Sequence, residues 1–331
     1  MRTSFVINSK NKPLQTLSLV KSIFACNINS EVIVMDSSTD RVVDMLIKEF
    51  EKELVSGDLK IISLNKKAGH STKRLKALEH ITGDFVTFLY GGDKINKKKF
   101  IKASDYIQDV DVDIFEFDVS YLGKTKINWK TVVNLDSNEI YETKLNPQVT
   151  GFMRPFLYGK VFKTDFIKKN KTIFKIDSDY DAMYVYLLLA VASNYYYYGD
   201  KVFKINITST FDFSVLTRQW DFIIKTNEMN KNKNHTEEYI EYAYVLYMFL
   251  VIPQLINLSV SDDYDRRIMI ETLNRKVKKR YPMYLDNFFV RKDSNLQNNK
   301  ILSGETKNRK KTNKNIKTSK VSSTKLNKED L

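Results

Sequence analysis

The stretch that decides the fold is Gly69–Asp93, GHSTKRLKALEHITGDFVTFLYGGD. Its first part places apolar residues at helical spacing, which predicts a helix that begins near Ser71. The turn sequence Thr82–Asp84 ends that helix, and the apolar run Phe85–Leu89 has the composition of a buried strand. The strand stops at Tyr90–Asp93, a turn that carries one carboxylate. Ligands of open α/β sheets bind beyond the carboxyl ends of the strands, so chemistry is expected at this turn.

The same alternation of strand and helix patterns extends over the first 120 residues. It predicts strands at Thr3–Asn8, Glu31–Met35, Lys60–Leu64, Phe85–Leu89 and Asp113–Val119. It also predicts three helices. The first begins at Pro13, the second runs from a cap at Thr39 or Asp40 to about Leu54, and the third spans Asn96–Ile107. Strands joined through helices predict a doubly wound, mostly parallel sheet with right-handed crossovers.

The later part of the chain changes character more than once. Residues 120–150 are predicted to form a polar loop. After it, strands are predicted at Phe156–Phe162, Tyr195–Tyr198 and Val202–Ile207, and helices at Thr164–Asn170 and Asp177–Ser193. From Trp220 the pattern is helical throughout. The predicted domains are therefore an α/β domain over 1–214, a small all-helical domain over 215–292, and a disordered Lys/Asn-rich tail over 293–331.

Composition narrows the class of protein. Cys26 is the only cysteine, which excludes an internal disulfide framework and a cysteine zinc site, and a buried inert thiol is expected there. The N-terminus lacks the apolar core of a signal peptide. The apolar run Tyr242–Ile252 is shorter than the roughly 20 residues of a membrane span. These features predict a soluble, cytoplasmic protein, or one held at the inner face of the membrane.

The positive charge is concentrated at the end of the chain. From residue 300 onward there are ten basic and three acidic side chains. The segment therefore carries a charge of +7, which is half of the net charge of +14. This segment predicts electrostatic contact with a membrane surface or an anionic polymer, although a merely solubilising tail fits equally well. Because the folded part is only mildly basic, no nucleic-acid partner is expected.

Three motifs, in order and spacing, resemble a known family. FVINSKN at Phe5–Asn11, IVMDSSTD at Ile33–Asp40 and GHSTKRLKALEHITGDFVTFL at Gly69–Leu89 are similar to family 2 glycosyltransferases of the GT-A fold. The later DSDYDAMYVYLLLAVASNYYYY and the helical C-terminal region resemble the bacterial subgroup that glycosylates cell-wall polymers such as teichoic acids. The resemblance implies a nucleotide-sugar donor, UDP-linked, and an anionic polymer or glycoprotein acceptor.

The resemblance also implies which residues surround the donor. It places Asn8, Ser9, Asn11, Asp36, Arg74 and Asp93 around the nucleotide, with Asp36 hydrogen-bonding the uracil. These positions end strands or open a helix, so they are expected to converge on one crevice. Two alternatives stay open: that Asp36 is a turn residue before a helix, and that Arg74 lies on a solvated helix face.

The resemblance breaks at the metal motif. Where the family carries Asp-x-Asp-Asp, this chain has Tyr90, Gly91, Gly92 and Asp93, so both carboxylates of the Asp-x-Asp pair are absent. In the family those groups hold Mg²⁺ or Mn²⁺, which neutralises the leaving diphosphate. Asp93 alone is a poor ligand set for either ion. Arg74 or the run Lys97–Lys99 could supply positive charge instead, although such a run is usually a solvated helix start.

The resemblance implies a general base at Asp181, with Tyr180 in place of the family's glutamate. Asp179 or Asp177 could serve after a small shift in register, and a helix-start charge cluster without catalytic role fits the same residues. The resulting prediction is an inverting hexosyl- or N-acetylhexosaminyltransferase, with oligomerisation through the helical domain. The rival is an inactive GT-A-fold scaffold subunit that partners an active transferase, which the missing metal pair favours.

Overall fold

The computed structural model of the 331-residue chain describes residues 1–122, 131–175, 181–207, 213–229, 236–279 and 281–297. These residues form one nine-stranded mixed sheet with helices packed against it. The predicted α/β class, with a curled and mostly parallel sheet followed by helices, is confirmed. The predicted tail from residue 298 onward lies outside the described residues.

The strands follow one another in the chain as β1 Thr3–Ser9, β2 Ser30–Asp36, β3 Leu59–Ser63, β4 Phe85–Tyr90, β5 Lys94–Ile95, β6 Ile114–Tyr121, β7 Glu139–Glu142, β8 Lys160–Lys163 and β9 Asn194–Ile205. The helices are α1 Pro13–Phe24, α2 Val42–Glu49, α3 Glu51–Ser56, α4 His70–Leu78, α5 Lys97–Asp109, α6 Gln148–Phe152, α7 Thr164–Lys169, α8 Ala182–Val191, α9 Phe213–Met229, α10 Glu237–Leu246, α11 Ile252–Ser259, α12 Asp263–Lys278, α13 Phe288–Lys292 and α14 Ser294–Gln297.

The first half of the sheet is parallel and brings three strand ends together. Strands β3, β2, β1 and β4 lie side by side in that order, and each pair is parallel. Asn8 of β1 is level with Met35 of β2 on one side and with Tyr90 of β4 on the other. The next pair along, Ser9 and Asp36, is also level. The polar residues after these strands therefore meet at one edge of the sheet.

The second half of the sheet is mixed. Strand β8 is antiparallel to β4 and to β6, and β6 is parallel to the long strand β9. The register between β6 and β9 shifts on either side of Asp118, which marks a bulge. Strands β5 and β7 both pair with β9 in antiparallel fashion. Strand β9 thus joins Tyr195–Tyr198 to most of Val202–Ile207, two segments that the sequence predicted as separate strands, and it ends at Ile205.

The turn that precedes β4 is held by a buried carboxylate. Glu31 accepts hydrogen bonds from the backbone N–H groups of Thr82 and Gly83, at 2.6 and 3.0 Å, and from the hydroxyl of Ser4, at 2.5 Å. Despite its burial, the Lys60 ammonium and these donors lower the pKa of Glu31 to about 2. A side chain at Gly83 would collide with the backbone oxygen of Arg2, at 2.7 Å from the Cβ position, so glycine is required there.

A second buried polar cluster joins β6, β8 and β9. We call it the Glu116 cluster; its members are Glu116, Asp118, Arg154, Lys160 and Tyr195. The Glu116 carboxylate lies 3.1 Å from the Arg154 guanidinium and 3.1 Å from the Lys160 ammonium. Arg154 also pairs with Asp118, at 2.5 Å. Each cation of the cluster therefore has a carboxylate partner.

The helices after residue 213 share the hydrophobic core of the sheet rather than forming a separate one. Trp220 of α9, fully buried, packs against Tyr186 of α8 and Tyr247, with ring centroids 5.3 and 5.6 Å apart. The short helix α14 continues past residue 293, where the sequence predicted the tail to begin. The division into domains stays a prediction.

One described helix is long and apolar enough, by length and composition alone, to cross a membrane. It comprises 23 residues, Glu237–Ser259, and 72% of its most apolar window is buried inside the protein. A π-helical turn at Tyr247–Val251 precedes Pro253, which cannot donate to the preceding turn. Such burial is also what the core helix of a globular protein shows, so the feature is weak evidence for a membrane span.

Several local predictions differ from the structure. The predicted helix up to Leu54 is interrupted at Phe50, and α4 begins at His70 with Gly69 as its N-cap, without a capping side chain. The predicted loop over 120–150 contains β7 and α6. The strand predicted from Phe156 begins only at Lys160, because the Arg154 and Phe156 carbonyls bind the Lys160 ammonium at 2.7 and 2.8 Å.

Candidate active site

The carboxyl ends of β1, β2 and β4 border a small pocket of about 20 Å³. Its polar lining consists of Asn8, Lys73, Arg74 and Tyr90. Two of these come from strand ends and two from the first turns of α4. The convergence that the sequence predicts for Asn8 and Arg74 is therefore present in the structure.

Asp36 lies at the edge of this pocket in a network of short polar side chains. Its carboxylate, 4% exposed, accepts from the Ser38 hydroxyl at 2.6 Å and from the Ser38 N–H at 3.3 Å. The Ser38 hydroxyl accepts in turn from the N–H of Asn11, at 2.8 Å, and the Asn11 amide oxygen accepts from the N–H of Thr39, at 2.9 Å. Asn11 has φ of 52°, a conformation that asparagine tolerates. Asp36 and Asn11 thus belong to one ordered loop pair.

Asn8 connects the strand ends to α4. Its amide oxygen accepts from the Lys73 ammonium at 2.7 Å, and its amide nitrogen lies 2.6 Å from Nδ1 of His70. The Lys73 ammonium also donates to the Ser37 hydroxyl at 2.6 Å and lies 3.5 Å from the Ser9 carbonyl. Burial, with Lys10 acting in the same direction and Asp36 against it, lowers the pKa of Lys73 to about 8.

Arg74 links the pocket to the predicted base. Its Nη2 donates to the Asp181 carboxylate and, at 3.1 Å, to the Tyr90 hydroxyl. The guanidinium carbon lies 4.9 Å from the centre of the Tyr184 ring, a cation–π contact. The other Asp181 oxygen accepts from the Leu157 N–H at 3.3 Å. Although burial opposes it, the adjacent Asp181 carboxylate raises the pKa of Arg74, so the guanidinium stays charged.

Asp93 is placed differently from the other predicted ligands. It is 1% exposed and is not among the residues that line the pocket. One carboxylate oxygen accepts from the Tyr90 N–H at 2.9 Å and the other from the Asn206 N–H at 2.8 Å. Burial raises the pKa of Asp93 to about 7, against the effect of these two donors and of Lys12. Asp93 therefore fastens the β4 turn to the end of β9.

These residues do not fit a divalent cation. Mg²⁺ and Mn²⁺ prefer several oxygen ligands, whereas both oxygens of Asp93 are already bound to backbone donors. The described residues contain no group of three or more metal-binding side chains. Gly92 has φ of 110°, and a Cβ there would lie 2.5 Å from the Asn206 amide nitrogen. An aspartate at position 92, as in the family motif, would not fit this turn.

The remaining predicted residues lie away from the pocket or outside the description. The Ser9 hydroxyl faces α1, 3.1 Å from the Thr16 hydroxyl. The run Lys97–Lys99 opens α5, and the Lys99 ammonium pairs with Asp200 at 2.8 Å. Asp177, Asp179 and Tyr180 lie in 176–180, outside the described residues. The predicted roles of all these residues stay predictions.

Sequence reasoning missed Lys73. The residue precedes Arg74, for which a solvated helix face was one of the two open alternatives, yet Lys73 is 4% exposed and lines the pocket. A signal was available, because a residue next to a predicted ligand in the first turn of a helix can also face the strand ends.

Comparison with known proteins gives the same family as the three sequence motifs. Residues 4–164 match the model of the family described as glycosyl transferase family 2. This stretch is a family 2 glycosyltransferase domain. The prediction of family and enzyme class made from the three sequence motifs is thereby confirmed. A search of curated proteins by sequence found no match.

Solved structures with the same fold include two glycosyltransferase proteins. S. aureus TarS superposes with a TM-score of 0.58 at 17% sequence identity, and the match covers 79% of the chain described here. The same match covers only 44% of that TarS chain, so the present chain spans less than half of its length. TarS 1–349 in complex with UDP-GlcNAc has a TM-score of 0.53 at 18% identity, covering 86% of this chain and 92% of that one.

The mannosyltransferase PcManGT from Pyrobaculum calidifontis, in complex with GDP-Man and Mn²⁺, has a TM-score of 0.52 at 12% identity, covering 87% and 84% of the two chains. At such identities these three similarities show the fold alone.

Proposed function

We propose that this chain transfers a hexosyl or N-acetylhexosaminyl group from a UDP-sugar to a cell-surface polymer or protein acceptor, with inversion at the anomeric carbon. The observation that carries the proposal is the contact between Arg74, which lines the pocket at the strand ends, and Asp181, the predicted base. One residue thus connects the expected donor site with the expected acceptor side. The UDP-GlcNAc bound by TarS 1–349 supports a UDP-linked donor.

The geometry suggests how the chain's own groups would act. Asp181 would take the proton of the acceptor hydroxyl as that oxygen bonds to the anomeric carbon. The bond between the anomeric carbon and the diphosphate oxygen breaks on the opposite face, and UDP leaves with the electron pair. The contact with Arg74 would hold the Asp181 side chain in place beside the pocket, and a general base must be positioned in this way to take the proton.

The first experiment is calorimetry of the full chain with UDP, followed by a panel of UDP-sugars assayed for UDP release with polymer acceptors. Asp181→Asn should lower transfer by about 10²–10⁴-fold, the usual contribution of a general base. Asp105→Asn, on the exposed face of α5, is the matched control and should be unchanged. Equal activity of Asp181→Asn and the parent, with folding intact, would remove Asp181 from this role.

A second function is favoured by the missing Asp-x-Asp carboxylates and by the closed Arg74–Asp181 pair. It is a domain that binds the nucleotide sugar but does not turn it over, as a scaffold for an active transferase. UDP binding with no release from any UDP-sugar would support this alternative. The predicted peripheral membrane or polymer contact of 300–331, and oligomerisation through the helical region, stay proposals.

A further inference from the structure

Lys73 is a buried cation with no anionic hydrogen-bond partner. Its Nζ is held by the Asn8 amide oxygen, the Ser37 hydroxyl and the Ser9 carbonyl, all of them neutral groups. In the part of the chain that the structure describes, no carboxylate forms an ion pair with it. A buried ammonium with neutral partners only is unfavourable unless something else compensates its charge.

Arg74 adds an unused donor to the same pocket. Its Nη2 serves Asp181 and Tyr90, while its Nη1 is buried and has no hydrogen-bond partner. Such an orphaned donor is costly, because it has lost its water without gaining a partner. Both side chains line the pocket beside Asn8. The charge of Arg74 is balanced by an ion pair with Asp181, whereas Lys73 forms no ion pair among the described residues and is favoured only at longer range, by Asp36.

The chemistry of the proposed donor matches the positive charge and the unused hydrogen-bond donor of this pocket. A nucleoside diphosphate carries negative charge that relatives with the family motif neutralise with a divalent cation, and the residues here do not fit such an ion. We propose that the Lys73 ammonium, together with the free Nη1 of Arg74, takes the place of the divalent cation and holds the phosphates of the nucleotide, so that nucleotide binding needs no metal. This inference rests on the proposed function.

The electrostatics of the pocket support the assignment and make it testable by pH. The charged groups that face Lys73 are Lys10, which disfavours its ammonium form, and Asp36, which favours it; His70 lies beyond Asn8. Burial already lowers the pKa of Lys73 to about 8. A bound phosphate would oppose that shift, so binding should be strongest while Lys73 is protonated and should weaken as the pH rises above 8.

The experiment compares UDP with uridine, which lacks the phosphates, by calorimetry of the full chain in EDTA. UDP should bind more tightly than uridine, and Mn²⁺ should change the UDP affinity by less than about twofold, since no ion site is built. Lys73→Met should weaken UDP about tenfold, the scale of one charge-assisted hydrogen bond, and leave uridine unchanged. Lys73→Arg should keep most of the UDP affinity. Lys76→Met, exposed on the same helix, is the matched control.

A measurement on the unmodified protein keeps the proposal open to failure even if Lys73→Met does not fold. The ratio of UDP to uridine affinity should fall between pH 7 and 9.5, and Lys73→Arg should remove that fall. The uracil ring titrates alike in both ligands, so the ratio isolates the phosphates. A ratio that stays constant in the unmodified protein would overturn the proposal.

The remaining outcomes separate this inference from the proposed function. UDP binding that appears only after Mn²⁺ is added overturns the role of Lys73 and leaves the glycosyltransferase function intact. Equal losses of UDP and uridine affinity in Lys73→Met would assign Lys73 to the nucleoside or to the shape of the pocket, and would also overturn it. Failure of the unmodified chain to bind either ligand, with or without Mn²⁺, contradicts both proposals.

Discussion

The Glu116 cluster and the pocket at the strand ends each bury a lysine, and the two lysines differ in their partners. Lys160 donates to two backbone carbonyls and lies 3.1 Å from the Glu116 carboxylate. Lys73 donates to neutral oxygens only. Burial lowers the pKa of both ammonium groups to about 8. The shift alone therefore does not distinguish a structural cation from one that is available to a ligand.

The partners make that distinction. In the Glu116 cluster two cations face two carboxylates, and Glu116 and Lys160 are buried between β6, β8 and β9. Among the described residues, Arg74 pairs with a carboxylate and Lys73 does not, and both side chains line the small pocket at the strand ends. A closed and balanced cluster can only stabilise the fold, whereas an open and unbalanced one can also bind an anion.

The largest expected effect is on the stability that the Glu116 cluster contributes. Lys160→Met should lower the free energy of unfolding by about 3–5 kcal/mol, because it leaves Glu116 without one of its buried cations and removes the ammonium that donates to the Arg154 and Phe156 carbonyls. The UDP affinity of the folded fraction should be unchanged. Chemical denaturation followed by circular dichroism measures the first quantity, and calorimetry the second.

Lys163→Met is the matched control, in the same strand but exposed and paired with the exposed Asp111. It should cost at most about 1 kcal/mol, as surface ion pairs do. If Lys160→Met were as mild as Lys163→Met, the Glu116 cluster would not be the structural element described here. The contrast between the two buried lysines would then lose its basis.

The next largest effect is on UDP binding at the pocket at the strand ends. Asp36→Ala should weaken UDP binding by about 1–3 kcal/mol, the scale of one charge-assisted hydrogen bond to the ligand. The substitution also removes the acceptor of the Ser38 hydroxyl, so loosening of the loop that holds Asn11 could mimic a lost contact. Ser38→Ala separates the two causes. A loss in Ser38→Ala as large as that in Asp36→Ala would show that Asp36 acts through the loop.

How much of this could be read from sequence depends on the range of the interactions. The alternation of apolar runs and turn residues in Gly69–Asp93 is local, and it predicted α4, the turn and β4 in the right order. The strand ends carrying Asn8 and Asp36 followed from the parallel order of the strands. Elements whose position depends on distant partners were missed, as with β7, which forms only because β9 lies beside it.

The site shows the same limit. Asp93 was expected at the nucleotide because the family motif ends there, yet its oxygens are bound to the N–H groups of Tyr90 and Asn206. Asn206 is 113 residues away in the chain, so no local pattern could predict that bond. Lys73 escaped notice for a similar reason, since its burial depends on Ser37 and Asn8, which belong to other strand ends.

The smallest effect concerns Asp93, a buried anion held only by backbone donors. Its folded-state pKa of about 7 lies above the ordinary aspartate value of 3.8, so the folded state binds the proton more tightly than the unfolded chain. Stability from this group is complete below the unfolded pKa and is lost as the pH rises through 7, by about 1.4 kcal/mol between pH 6 and 8. Asp93→Asn does not ionise and should lack this loss. Urea unfolding of both proteins at the two pH values measures it, and the difference between them cancels other titrating groups such as Lys73. Parallel pH profiles would mean that the two backbone donors keep Asp93 ionised throughout, and that a buried anion here is as well compensated as the cations of the Glu116 cluster.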